Sequence, residues 1–462
     1  MNRFFALWFV FCAGLCSAQT LLPYTAYDSD GIPPEVYRQR RARVLAAHTE
    51  RAAILLLSAD PRNRQNDVDY EYRQNSNLLY LTGCTEPRCA LLLLPGGFQW
   101  NGSRVDELLF IPRRNPEREI WTGIRMGPED AERLLGIRPT LEYTSLPVVL
   151  DSVLRTRDTL YIASGLPTPS VQLPIFGTRV DIEQLLRDSL QHRNGRLVVR
   201  TSLRLLAAMR EIKDEHELRL LGKAIEITVD AFNATLRAAK PGMKEYELEA
   251  LMEYHFRRAG AEDVGYPSIV GSGYNSCILH YQTNRRTTQI GDLVLADCGA
   301  EYHGYTADIT RTFPISGRFS AEQRALYLLV LEAQDSAIAQ ARVGAPFRAT
   351  HRAAESVIAR GLTVLGIIRS PAEVRRYFMH GTSHYLGLDV HDAGTYGPLQ
   401  AGTVITVEPG IYIPPGSPCE ERWWNIGIRI EDDILVTEQG PVNLSATLAR
   451  HPDEIEALMR GD

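Results

Sequence analysis

No Cys-x-x-Cys pair occurs in this chain, so the sequence gives no support to a thiolate-bound structural zinc. Positive charge is not in excess either. The 50 Lys and Arg against 56 Asp and Glu give a formal charge of −6, which argues against a nucleic-acid partner, since that would call for a basic surface. A glycine-rich phosphate cradle is also missing: Pro95-Gly96-Gly97 lacks a flanking lysine or a following helix and reads as a turn. The apolar run over residues 4–15 is too short to span a bilayer comfortably. It follows a single positive charge, Arg3, and precedes Cys16-Ser17-Ala18, the pattern of a signal peptide cut after Ala18, with an uncleaved anchor as the alternative. Residues 1–18 are therefore set apart from the fold. The mature chain, at −7 once Arg3 is removed, is expected to be periplasmic or secreted, without stable membrane insertion.

Cysteine adds little. Five remain after cleavage (Cys84, Cys89, Cys277, Cys298 and Cys419), and an odd number leaves at least one free. Cys84 and Cys89 flank Thr85-Glu86-Pro87-Arg88 and could bridge, a question the sequence leaves open. Cys298, in an apolar strand, reads as a packed thiol.

At 462 residues the chain is too long for one ordinary core, and its 44% apolar and 23% charged content is that of a soluble globular protein. A first domain is expected over residues 33–200, with an opening helix, strands at 52–59, 78–81, 89–94, 107–111 and 159–163, and helices near 128–135 and 179–192. This alternation implies a mixed α/β layer. Residues 201–214 read as a linker, and a second domain as 215–445. There Leu218, Leu221, Ile225, Val229 and Phe232 mark an amphipathic helix stopped by Pro241-Gly242, and a second helix follows. Strands are expected through Ile269 and over 293–300 and 306–313. Ser320 and Gln323 form a capping box for a helix reaching Arg342, Pro346 opens another through Leu365, and strands return at 404–413 and 426–436. The order helix, helix, strands thus occurs twice, an inferred duplication with little identity between copies.

The chemistry lies in this second half. Asp297 interrupts the apolar run Leu293-Val294-Leu295-Ala296, Asp308 and Glu431 sit in similarly strand-like surroundings, and Glu408 lies within VITVEPGIYIP. An unpartnered buried carboxylate costs several kcal/mol. Any one of these acids could point outward from a half-exposed strand. Together with His384 they form a donor set for two divalent ions, oxygen-rich and suited to Mn²⁺, Mg²⁺ or Co²⁺-like metals. Paired divalent ions are a standard device for hydrolysis, so the pattern reads as a metallohydrolase. A lone histidine is more often structural than catalytic. His380 and His391, however, flank His384, and Gly381 and Gly387 suggest close backbone approach to a ligand.

HGTSHYLGLDVHD, ADCGAEYHGYTADITRTF and GIRIEDDILVTEQGPVNLS resemble the pita-bread metallopeptidases, most closely bacterial aminopeptidase P, with prolidase near. The resemblance covers residues 210–445 and extends to EYRQNSNLLYLTGCTEP, which is similar to the non-catalytic first domain of those enzymes. It implies an α/β (α+β) chain: an N-terminal mixed α/β domain, then a pita-bread domain of pseudo-twofold duplicated helices and antiparallel sheet. It implies metal ligation by Asp297, Asp308, His384, Glu408 and Glu431, with Mn²⁺ first and Co²⁺ or Zn²⁺ as alternatives. His280 and His391 would hold the scissile carbonyl or other polar groups of the substrate, and His380 would support the site. Glu408 would also shuttle a proton to the leaving nitrogen, and Arg429 would organise the acids. Trp121 resembles a family tryptophan that reaches a neighbouring subunit's cleft, in a dimer or tetramer, although a core or edge aromatic reads equally well. The implied substrates are peptides beginning Xaa-Pro, whose tertiary amide has no N–H to offer an ordinary peptidase. Ser383 before His384 favours the aminopeptidase over a prolidase splitting Xaa-Pro dipeptides. A non-catalytic peptide-binding protein and a creatinase-type amidinohydrolase are further alternatives, and the intact ligand set argues against both.

Overall fold

A computed structural model describes residues 24–163, 171–173, 178–180, 188–190, 192, 195–201 and 203–461. The first domain is built on a six-stranded mixed sheet in the order Val198–Thr201, Thr159–Ile162, Ala52–Leu57, Ala90–Trp100, Ser103–Ile111, Thr140–Glu142. Strand Ala52–Leu57 is parallel to Thr159–Ile162 and antiparallel to Ala90–Trp100. Residues 90–94 are fully buried because both faces of the sheet are covered, which is why they read as one continuous apolar run. Helix Pro34–Ala46 inserts the wholly buried Arg41, which Glu107 (2.7 Å) and the Leu81 carbonyl (2.9 Å) satisfy.

The sequence reading of this domain needs correction in two places. Residues 78–81 are not a strand but belong to helix Ser76–Thr82. A four-residue apolar run cannot separate strand from buried helix. What decides is the Asn75 side chain, which accepts from the backbone N–H of Asn77 and Leu78, and Gly83, which ends the helix in the left-handed region (φ 69°). The linker expected over 201–214 contains helix Leu203–Glu211. Cys84 and Cys89 are free thiols, both buried, with sulfurs 3.7 Å apart. The helix expected over 179–192 falls largely outside the described residues, as does the leader at residues 1–18; Arg179 itself is in strand Thr178–Val180. No helix among the described residues is long and apolar enough to cross a membrane.

The second domain repeats one pattern. Helices Glu215–Ala238 and Glu245–Arg258 precede the antiparallel strands Ile269–Ser272, Leu293–Cys298 and Ile309–Pro314. Helices Ala321–Ile338 and Ala349–Val364 precede Val404–Val407, Gly410–Ile413, Ile426–Arg429 and Asp432–Thr437. Ser320 and Gln323 form the capping box read from the sequence, and Asp214 with Glu217 forms another. The two long strands expected at 404–413 and 426–436 are each broken. Val404–Val407 pairs with Asp432–Thr437, whereas Gly410–Ile413 pairs with Ile426–Arg429 in a separate ladder. The breaks fall at Glu408-Pro409, where proline cannot donate to a ladder, and at Ile430-Glu431. The first copy breaks likewise, at Gly299 and at Ala307-Asp308.

Buried charge joins the two domains. Lys213 and Asp392 are paired at 3.0 Å, with side chains 0% and 2% exposed, and Arg210 bonds both Asp392 and Asp389. Ser76 donates to Asp389 (2.7 Å), and Arg73 bonds Glu301 (2.8 Å) and the Leu388 carbonyl. Despite its burial, Arg210 and Lys213 hold the Asp392 carboxyl below the usual carboxylate range. Removing Asp392 would leave Lys213, buried and paired to it, without its carboxylate. Asp392→Ala is expected to destabilise the protein by about 3–5 kcal/mol, read as a lowered midpoint in thermal denaturation.

Candidate metal centre

Strand breaks deliver three of the four acids. Asp297 projects from strand Leu293–Cys298, while Asp308, Glu408 and Glu431 each sit in a two-residue gap between consecutive strands. Backbone bonds crossing between elements pin the gaps: Glu431 N–H donates to the Thr310 carbonyl (3.1 Å) and Glu408 N–H to the Thr382 carbonyl (2.9 Å). Arg311, wholly buried, bonds the Glu431 carbonyl (2.6 Å) and Asp432 (2.7 Å), which fixes that gap from behind.

Ligand atoms of Asp308, His384 and Glu431 lie within 4.8 Å of one another. His384 Nε2 is 3.3 Å from Asp308 and 3.6 Å from Glu408. Its Nδ1 lies 3.0 Å from the Tyr385 carbonyl, an acceptor, so the Nδ1–H is held and Nε2 is the nitrogen directed toward the acids and any cation there. Asp297 joins through two groups: Arg429 Nη2 donates to it, and the Tyr266 hydroxyl lies 2.6 Å from both Asp297 and Asp308. Arg429 also donates to Thr310 (3.1 Å) and Tyr412 (3.0 Å), and Thr310 donates to Glu431 (2.6 Å).

The three further histidines differ in how closely they join. His380 Nδ1 lies 3.6 Å from Glu408, and its Nε2 is 2.8 Å from the Tyr412 hydroxyl. Since Arg429 donates to that hydroxyl, Tyr412 is free to donate to a neutral His380. His391 packs edge-on against His384 with ring centroids 4.3 Å apart. His280 is exposed and lies near His380 and His391. The reading of the glycines is half corrected. Gly381 does border open space, but a Cβ on Gly387 would meet the Asp392 carboxylate at 2.3 Å, so its smallness serves the internal ion pair and not a ligand. Tyr266, Thr310 and Tyr412 were not singled out in the sequence. Only the clustering of tyrosines and threonines beside the acidic motifs could have signalled them.

Electrostatics shows what this arrangement calls for. Four carboxylates share one guanidinium. Burial, with Asp308 and Asp297 nearby, pushes Glu408 up to about 7 against the pull of His384 and Arg429. Burial and the carboxylates of Asp308, Glu408 and Asp297 push Glu431 well above the usual range. Burial alone would lower His384, but the bond to Asp308 and the charge of Glu408 raise it to about 9. Burial and Arg429 push His380 down to about 3. A phenol has one proton, so Tyr266 cannot satisfy both aspartates at once. The protein's own groups leave this negative charge under-compensated. Carboxylates and imidazole suit hard or borderline divalent cations, so the residues fit a metal pair.

The sign of the linkage follows. Glu408, with a folded value near 7 against about 4.3 unfolded, binds more protons in the folded state. Its stabilising contribution is therefore lost as pH rises through 7. His384, raised to about 9, contributes with the same sign, and His380 opposes only below its unfolded value of about 6.5. Metal-free protein is expected to lose thermal stability between about pH 6.5 and 8, and added Mn²⁺ is expected to stabilise it more at the higher pH. Equal metal-induced shifts at both pH values would show that the cation does not sit on these carboxylates.

Known proteins bear on the same residues. The profile of Metallopeptidase family M24 matches residues 219–438, and that of the aminopeptidase P N-terminal domain matches 37–161. The Xaa-Pro aminopeptidase of Escherichia coli (strain K12) is 37% identical over 440 residues, 93% of this chain and 98% of that protein. The Haemophilus influenzae Xaa-Pro aminopeptidase is 37% identical over 441 residues, 93% and 98% of the two chains. Among solved structures, Pseudomonas aeruginosa aminopeptidase PepP superposes with a TM-score of 0.84 at 35% identity, covering 94% of this chain and 99% of its own. Escherichia coli aminopeptidase P with the inhibitor Pro-Leu gives 0.83 at 36%, covering 93% and 99%. With both halves matched, and its acidic strand breaks and histidines lying inside the matched peptidase region, the chain belongs to metallopeptidase family M24, in its aminopeptidase P branch.

Proposed function

We propose that this chain is a metallo-aminopeptidase that removes the first residue from peptides with proline in second position. One observation carries the reading: all five donors are present in a chain that matches Xaa-Pro aminopeptidases over nearly its whole length, and three of them converge within 4.8 Å. Asp297, Asp308, His384, Glu408 and Glu431 would hold two divalent ions, Mn²⁺ first, with Co²⁺ or Zn²⁺ as alternatives. Bound there, such ions supply an activated water and polarise a carbonyl.

The chain's own residues do the rest. Glu408, on the leaving-group side of the centre, would also pass a proton to the departing proline nitrogen. His391 and His280, both exposed toward solvent beside the site, can donate to the carbonyl oxygen as it gains charge. Neutral His380, held by Tyr412 and by its own contact with the Gly381 carbonyl (2.6 Å), keeps the Glu408 side of the cleft in place. Arg429 holds Asp297 in orientation while tying it to Thr310 and Tyr412.

The mature protein is further proposed to be exported, cut after Ala18, and to act as a dimer or tetramer. Trp121, 87% exposed on helix Pro116–Thr122, supports the latter as an aromatic available to a second copy. N-terminal sequencing of protein recovered outside the cytoplasm and light scattering of wild type beside Trp121→Ala would test these two points.

The central test uses protein stripped of metal and reloaded with Mn²⁺. A tripeptide Xaa-Pro-Yaa is expected to be cut at the Xaa-Pro bond while the Xaa-Pro dipeptide is spared. Asp308→Ala should lower kcat/KM more than about 100-fold while leaving far-UV circular dichroism unchanged. Preference for the dipeptide would instead indicate a prolidase, and normal turnover by the variant would rule out the site.

A further inference from the structure

A cavity of about 850 Å³ adjoins the candidate metal centre through His380. One wall is the start of helix Ala349–Val364, with Arg348 at its N-cap and His351 and Arg352 in its first turn; Arg375 comes from the short helix Pro371–Arg376. His380 and the open Gly381 also line it. His380 therefore belongs to both places, facing the cavity while its Nδ1 stands 3.6 Å from Glu408. The cavity's size is that of a small-ligand site.

Its charge runs against that of the molecule. Three arginines and one acid, Glu355, are the charged lining residues, a balance of +2 in a chain of −6. Arg375 lies 3.9 Å from Glu355, a loose pair, and Arg348 and Arg352 have no carboxylate partner among the described residues. Helix Ala349–Val364 has no side-chain cap, so its first N–H groups add to the positive end. His351 is held to Thr382 at 3.0 Å, which leaves the guanidinium groups as the charged groups available to a ligand.

We infer that this cavity is the subsite for the departing part of the peptide and that Arg348, Arg352 and Arg375 there select a carboxylate on it. The inference rests on the proposed Xaa-Pro cleavage, which places the leaving chain on the Glu408 and His380 side, where the proline nitrogen takes its proton. The carboxylate has two possible sources, the C-terminus of a short peptide or an acidic side chain shortly after the proline. Guanidinium groups bind carboxylates in preference to neutral amides because the hydrogen bonds are charge-assisted.

The test compares Ala-Pro-Ala-Ala with its C-terminal amide, and amidated Ala-Pro-Glu-Ala with amidated Ala-Pro-Gln-Ala, on Mn²⁺-loaded wild type and on Arg352→Gln/Arg375→Gln. The quantity read is the ratio of kcat/KM between the charged and neutral members of each pair. At least one wild-type ratio should be about tenfold, falling toward one in the double variant. The first pair reports the C-terminus and the second the side chain. Ratios near one in wild type, or ratios that survive the double substitution, overturn the inference.

A second arm does not depend on turnover. Pro-Glu-Ala-amide and Pro-Gln-Ala-amide, and likewise Pro-Ala-Ala and its amide, are titrated calorimetrically into the same two proteins. If no Xaa-Pro peptide is cleaved, the proposed activity fails, and the cavity is then judged by binding alone. Tighter binding of a charged peptide that is lost in the double variant supports it, and equal binding within both pairs overturns it.

Discussion

Four carboxylates drawn into one partly dry space with a single arginine between them are the constraint from which the rest of this catalytic half follows. Left to themselves, such groups hold protons or swing apart. They cannot swing apart here, because all four are fixed from behind: Glu431 by Arg311 and Thr310, Asp297 by Arg429 and Tyr266, Asp308 by Tyr266, Glu408 by the backbone of Thr382. Without a cation, Glu408 and Glu431 instead hold protons more tightly than free acids do. The scaffold therefore maintains a cluster of acids that either protons or cations of high charge density must neutralise. The folding cost of assembling the acids and the affinity for metal are two faces of one electrostatic fact.

The broken strands are the means. Asp297 projects from a regular ladder, whereas the other three acids sit where ladders break. A gap of two residues lets the chain change ladders, and the acid at the change points inward where the two halves face each other. The duplication places such gaps in both copies, so a site between them is approached by elements that need no sequence similarity beyond the acids.

Much of this was legible because the donors sit in residue strings whose composition makes no sense for a packed strand: Asp297 after an apolar run, Glu408 before Pro409. The amphipathic helices and the Ser320 cap were equally plain. What could not be read depends on distance across the fold. Tyr266 earns its place only because Asp297 and Asp308 meet at its hydroxyl, and Thr310 and Tyr412 only because Arg429 spans them. Gly387 looked like room for a ligand and proved to be room for Asp392. Residues 76–82 show the remaining limit: four apolar residues carry no period, and the Asn75 cap and Gly83 stop were stronger evidence than the run itself.

The ion pairs between the halves reach the loop that carries His384 and His391. Arg73 and Ser76 from the first domain, and Arg210 and Lys213 from the connecting helix and its exit, all grip residues 388–392, a short way after His384. The N-terminal half is thus more than a lid or spacer. Together with the connecting helix it braces the loop that carries His384 and His391, so that cutting the first domain away would remove the grip of Arg73 and Ser76 on that loop.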